Sequence, residues 1–111
     1  MKNLTALAVL IALTLSAKAQ DTRPYELASA DERLNAVYQQ ILKKMDGDAQ
    51  TKFRKAQRAW IAFRDLDCAW AFDRVPLDCK INRTEERTKA LEDTYFSDAR
   101  GNYISVEVPK K

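Results

Sequence analysis

The chain has 111 residues, with 19 Lys and Arg against 16 Asp and Glu, two cysteines, two glycines and no histidine. The lack of histidine removes the commonest general base and most zinc chemistry, and two glycines do not make a phosphate-cradling loop. One domain near the lower size limit for a self-sufficient core is expected, with no catalytic role, no cofactor and no metal.

Residues 1–19 read as an export signal. Lys2 supplies the positive start, Leu4 to Leu15 are almost purely apolar, and Ala17-Lys18-Ala19 fits a small-x-small cleavage site. The apolar run is shorter than the roughly 20 residues of a membrane span, and no cysteine stands at the cleavage point to accept a lipid. A leader this short looks bacterial. Cleavage after Ala19 would release the chain into the periplasm or the medium, without lasting membrane contact. Lys2 and Lys18 leave with the leader, so the 19 basic residues fall to 17 against 16 acidic ones. So small an excess outside the cytoplasm argues against a nucleic-acid partner. In an exported chain two cysteines are expected to pair, and a Cys68–Cys79 bridge over so short a loop would stabilise the fold by about 3 kcal/mol.

Residues 20–28 are expected to be extended, 29–96 to form a helical domain and 97–111 a tail. The first helix is predicted to begin near Ser29, where Ser29 and Glu32 form a capping box. Leu34, Val37, Tyr38, Ile41, Leu42 and Met45 then make one apolar stripe, and Asp46-Gly47-Asp48 ends it. Asn35, at the stripe's edge, is a candidate for a hydrogen bond across a helix interface.

The second helix is predicted from about Asp48 to Ala71. Phe53, Ala56, Ala59, Trp60, Phe63, Leu66 and Trp70 cover more than a third of its circumference, and Ile61 and Cys68 widen the arc. A helix this apolar is expected at the centre, packed on two sides. Gln57 and Arg64 flank Trp60 within the arc, and Asp67 follows. Polar and charged groups on an apolar face need partners, so these residues predict an internal polar network.

Pro76 lies within the presumed disulfide loop. Asn82, with Glu85 three residues later, is the predicted cap of a third helix. Its inner face, Thr84, Arg87, Thr88, Leu91 and Tyr95, is polar enough to meet Gln57, Arg64 and Asp67, which places Arg87 near Asp67 or Asp65. Beyond the Gly101 turn, Tyr103 to Val108 has strand-like composition without an evident partner strand. The expected fold is therefore all-α: a small bundle of about three helices, stapled by one disulfide, with a short extended C-terminal tail.

Three blocks carry a resemblance. They are Leu34-Asn35-x-x-Tyr38, Ala56-Gln57-x-x-Trp60-x-x-Phe63-Arg64-Asp65-x-x-Cys68 followed by Cys79, and Thr84-x-x-Arg87-Thr88-x-x-Leu91. Together they resemble the lysozyme-inhibitor LprI-type domain, a family of small exported bacterial proteins, over roughly residues 31–91. The resemblance implies a compact helical fold held by a disulfide and inhibition of lysozyme, which makes the expected partner a protein. The chain lacks the lipid-accepting cysteine of the family's lipoprotein prototype.

An inhibitor needs anchors to insert and an acidic flank to steer them. Trp70, Phe72, Asp73 and Asp78, in the loop closed by the bridge, are the candidate partner-binding residues; the other reading of this loop is that Trp70, Phe72 and Leu77 fold back to cover a small core. Asn35, Gln57, Arg64, Asp67 and Arg87 are the expected structural polar network. The alternative is an envelope adaptor or stability factor without inhibitory activity, pairing its strand-like tail with a partner's sheet edge. The basic stretch Lys43, Lys44, Lys52, Arg54, Lys55 and Arg58 is expected to be a solvated turn and helix face, the other reading being contact with anionic lipid or a teichoic-type polymer.

Overall fold

The computed structural model describes residues 21–97 and 100–105. The predicted leader, 1–19, and the end of the strand-like tail, 106–108, lie outside the described residues. Three helices follow one another, α1 (Arg23–Lys43), α2 (Gly47–Ala71) and α3 (Pro76–Glu92), and a hairpin of β1 (Tyr95–Ser97) and β2 (Tyr103–Ser105) closes the described chain. The all-helical bundle with one disulfide is as the sequence predicts. Several boundaries and one packing role differ.

Helix α1 starts at Arg23, so residues 23–28 are helical rather than extended. Asp21 holds this end: its carboxylate accepts the Arg23 backbone N–H at 3.0 Å and the guanidinium at 2.9 Å. Pro24 sits in the first turn, where a missing N–H costs nothing. Ser29 is not a cap. It lies inside the helix and its Oγ accepts a hydrogen bond from Arg33 Nη1 at 3.0 Å. Gln50 Nε2 donates to the Leu42 carbonyl at 2.7 Å and fastens the turn between α1 and α2.

Helix α3 likewise begins before its predicted cap, at Pro76 rather than Asn82. Proline fits a first helical turn because its φ is already helical. Asn82 is an exposed residue within that helix.

The apolar core comprises Leu34, Val37 and Ile41 of α1 and Leu91 of α3, with Met45, Phe53, Trp60 and Phe96 packed against it. Helices α1 and α3 form the close pair, α2 lies against α3, and α1 and α2 approach each other little. Helix α2 is therefore not the central element. Its buried residues are Gln57, Arg64 and Cys68, while Ile61, Phe63, Leu66 and Trp70 face water. With one close neighbour, a helix can bury one side only, and α2 turns its polar seam inward.

The tail is a hairpin. Phe96 pairs with Ile104 in antiparallel register, flanked by Tyr95–Ser105 and Ser97–Tyr103, and Gly101 adopts the left-handed φ of +82° that its turn requires. Phe96 rests on the core, and Lys44 Nζ donates to the Ser105 carbonyl at 3.2 Å. The partner strand is the Tyr95 segment assigned from sequence to the third helix, and Tyr95 is exposed rather than on an inner face.

Candidate protein-binding site

The disulfide sets the geometry of the site. It joins Cys68, in the last turn of α2, to Cys79, in the first turn of α3, with a Cα–Cα distance of 5.6 Å. Moving one turn back along α2 and forward along α3 brings Arg64 opposite Thr84. Arg64 is only 8% exposed. Its Nη1 donates to Asp31 Oδ1 and to Thr84 Oγ1, each at 2.9 Å, and its Nε and Nη2 lie 3.0 Å from Asp65 Oδ1. One guanidinium thus ties α1, α2 and α3 together. Thr84 Oγ1 also donates to the Lys80 carbonyl at 2.6 Å, so its hydroxyl both gives and receives.

A further step along the same register brings Arg87 to Gln57. Arg87 Nε and Nη2 both donate to Gln57 Oε1 at 3.3 Å. The Arg64 and Arg87 guanidinium carbons lie 5.6 and 5.7 Å from the Trp60 ring centroid, within cation–π range. Burial pushes the Arg87 pKa below its ordinary value, since its acceptor is a neutral amide and not a carboxylate. Among the described residues no buried side-chain polar atom lacks a partner.

Arg87 therefore does not pair with Asp67 or Asp65. Asp65 takes Arg64 and, at 3.7 Å, Lys80; Asp67 takes Arg83 at 3.4 Å. The antiparallel register explains this. Residues nearer Cys68 on α2 face residues nearer Cys79 on α3, and Arg87 is too far along.

At the bridged end the molecule presents apolar side chains to water. Phe63, Leu66 and Trp70, on one face of α2, are 61%, 72% and 77% exposed, and Phe72 and Val75 continue the patch at 47% and 41%. Trp70 is nevertheless held in place. Its indole Nε1 donates to Asp67 Oδ1 at 3.0 Å, and Arg83 holds the other oxygen of that carboxylate. The turn is tight: the Phe72 N–H donates to the Cys68 carbonyl at 3.1 Å and the Val75 N–H to the Phe72 carbonyl at 3.0 Å. Phe72 and Val75 border a cavity of about 290 Å³ that reaches Cys79 and Asn82. Asp78, which also lines it, and Asp73 in the turn are exposed, with Asp78 3.5 Å from Arg23.

All four predicted partner-binding residues are therefore at the surface of one end of the molecule. Phe63 and Leu66, which the sequence pattern places in the core, are exposed at the same end. The available signal was the inward-facing set Gln57, Arg64 and Cys68, which leaves Phe63 and Leu66 on the opposite side of the helix.

A second concavity, about 360 Å³, lies between α1 and α2. Leu34, Asn35 and Tyr38 line it from one side, and Arg54, Gln57, Arg58, Ile61 and Arg64 from the other, with Asp31 at the Arg64 contact. Asn35 is exposed there and makes no side-chain hydrogen bond to another described residue. It stands apart from the polar network because the groove separates it from α2.

The family described as Lysozyme inhibitor LprI matches residues 16–91, a span that takes in the disulfide, the Arg64 and Arg87 contacts and nearly all of the three helices. The chain belongs to the LprI lysozyme-inhibitor family. No curated protein and no solved structure matches it. At the level of the LprI family, the implied function is inhibition of lysozyme through a protein–protein contact rather than catalysis. The disulfide suits the oxidising, extracytoplasmic setting of such a protein.

Proposed function

We propose that the chain is an exported, non-catalytic binding protein that blocks a lysozyme-type peptidoglycan hydrolase with the aromatic end of α2. The observation that carries this reading is Trp70, which is 77% exposed yet fixed by its hydrogen bond to Asp67. An exposed aromatic ring already in one orientation loses little side-chain entropy on binding, and aromatic anchors dominate binding energy at protein interfaces. Leu66, Phe63 and Phe72 extend the ring into an apolar patch of the kind that marks interaction sites on soluble proteins.

Lysozymes work with two carboxylates in a cleft and are usually strongly cationic. Asp73 beside the patch supplies complementary charge that steers encounter, and Asp78, shared with Arg23 at 3.5 Å, adds less. The disulfide and Pro76 hold the turn that carries Asp73 and the start of α3 that carries Asp78. Residues 1–19 would deliver the chain to the periplasm or the medium, where such hydrolases act.

The test is peptidoglycan lysis by several lysozyme types with and without the oxidised protein, in parallel with the variant Trp70→Ser/Phe72→Ser. Dose-dependent inhibition by the parent protein and at least about tenfold weaker inhibition by the variant is expected, since losing one interface anchor costs about 2 kcal/mol or more. Undiminished inhibition by the variant, or no inhibition of any lysozyme by folded protein, would overturn the proposal.

A further inference from the structure

The groove between α1 and α2 is not explained by the aromatic end. Arg58 stands twelve residues, about 18 Å along the helix, from Trp70. Arg54 and Arg58, both exposed, are one turn apart on the same face of α2. Neither is ion-paired among the described residues, whereas Lys52 on the same helix pairs with Asp48. Arg64 is neutralised where it enters the groove, by Asp31 and Asp65. Asp31 is the only carboxylate among the groove's lining residues, against three arginines. The groove therefore keeps two uncompensated positive charges.

Neutral donors accompany them. The Gln57 carbonyl is taken by Arg87, while its amide nitrogen, the Asn35 amide and the Tyr38 hydroxyl have no acceptor among the described residues. Leu34 and Ile61 add apolar surface between the donors. Donors thus greatly outnumber acceptors around an apolar strip, in about 360 Å³, the lower end of the range for sites that enclose small ligands.

We propose that this groove binds a short acidic peptide. Two carboxylates would meet the Arg54 and Arg58 guanidiniums, an apolar side chain would lie on Leu34 and Ile61, and peptide carbonyls would accept from Gln57 and Asn35. Arginine suits this role because its planar fork matches a carboxylate with two parallel hydrogen bonds. The occupant is an internal segment of a partner protein: Asp31, the only carboxylate in the lining, is taken by Arg64, which leaves no lining carboxylate to meet the ammonium of a free peptide. The inference does not rest on the lysozyme reading.

The probes are acetyl-Glu-Leu-Glu-amide, its neutral counterpart acetyl-Gln-Leu-Gln-amide, and unblocked Glu-Leu-Glu, titrated into the full oxidised protein by calorimetry. The neutral peptide is expected to bind about tenfold more weakly than the acidic one, and Arg54→Gln/Arg58→Gln to lose the same factor, as loss of a charge-assisted hydrogen bond implies. The double variant should keep its melting temperature, because neither arginine holds an ion pair, and should keep any lysozyme inhibition. Tyr38→Phe, a second probe of the same wall, should also weaken binding.

Binding of the acidic blocked peptide supports the proposal, and binding of the unblocked peptide alone would overturn it in favour of free peptides. Equal affinity for the acidic and neutral peptides, no binding by either acidic probe, or full binding by the folded double variant would overturn the proposal. So would retention on anionic lipid vesicles that neither acidic peptide displaces.

Discussion

Arg64→Met isolates the contact on which the three helices converge. Methionine keeps the length and apolar volume of the side chain and removes the donors. Thr84 is completely buried and loses its only charged partner, which costs about 1–2 kcal/mol. Asp31 and Asp65 have side chains 48% and 44% exposed, so water replaces much of what they lose, and each adds about 0.5–1 kcal/mol. The stack on Trp60 adds about 0.5–1 kcal/mol. The total is about 3 kcal/mol, a large fraction of the stability of a domain this size. Each kcal/mol moves the midpoint of a small domain by about 4–8 °C, so thermal unfolding followed by circular dichroism should show a Tm lower by about 15–20 °C. Thr84→Val in the Arg64→Met background should cost about 1 kcal/mol less than in the parent, since the partner is already gone. A drop of less than about 4 °C, or fully additive variants, would refute the view that Arg64 ties the bundle.

Three other outcomes follow from the same geometry. Cys68→Ala/Cys79→Ala should lose about 3 kcal/mol in urea unfolding, the loop-closure contribution of a bridge between residues 11 apart. Arg87→Met should cost clearly less than Arg64→Met, about 1 kcal/mol: a base whose pKa falls on folding is destabilised in its charged form, so removing that charge offsets part of the lost bond to Gln57. At the start of α1, the hydrogen bonds from Arg23 hold the Asp21 carboxyl below its ordinary pKa. That stabilisation is present above the ordinary carboxylate value and lost as pH falls through the lowered one. Protection of the Tyr25 and Glu26 amides, which bond to the Thr22 carbonyl, measured against the intrinsic exchange rate at each pH, should therefore fall on acidification in the parent, whereas Asp21→Asn should already show the lower protection near neutrality.

The helical class and the bridge were readable because they rest on local signals: the stripe from Leu34 to Met45, the turn at Asp46-Gly47-Asp48, and two cysteines in a chain with an export-type leader. Helix starts were harder to read. Ser29-x-x-Glu32 and Asn82-x-x-Glu85 satisfy the capping pattern, yet in each case a proline upstream, Pro24 or Pro76, opens the helix earlier. The place of α2 in the bundle is not legible in its apolar arc, because counting apolar residues around a helix does not reveal how many neighbours it has. Gln57, Arg64 and Cys68 were the better guide, since a buried charged residue and a bridged cysteine both define an inward side. The position of Arg87 was also within reach. An antiparallel register fixed by Cys68–Cys79 pairs Arg64 with Thr84 and leaves Arg87 opposite Gln57 and Trp60. The strand at Tyr95 carried no periodic signal of its own and depends on the turn at Gly101 to find its partner.

The central claim, that lysozyme is bound through the Trp70 face, is tested most directly by fluorine NMR of protein labelled with 5-fluorotryptophan. The chain has two tryptophans, one exposed at the bridged end and one packed between Arg64 and Arg87, and Trp60→Phe assigns the pair. On addition of lysozyme, the Trp70 resonance should shift or broaden and lose its sensitivity to solvent while the Trp60 resonance stays in place. A Trp70 resonance unchanged at lysozyme concentrations that inhibit lysis, or a response confined to Trp60, would contradict the account.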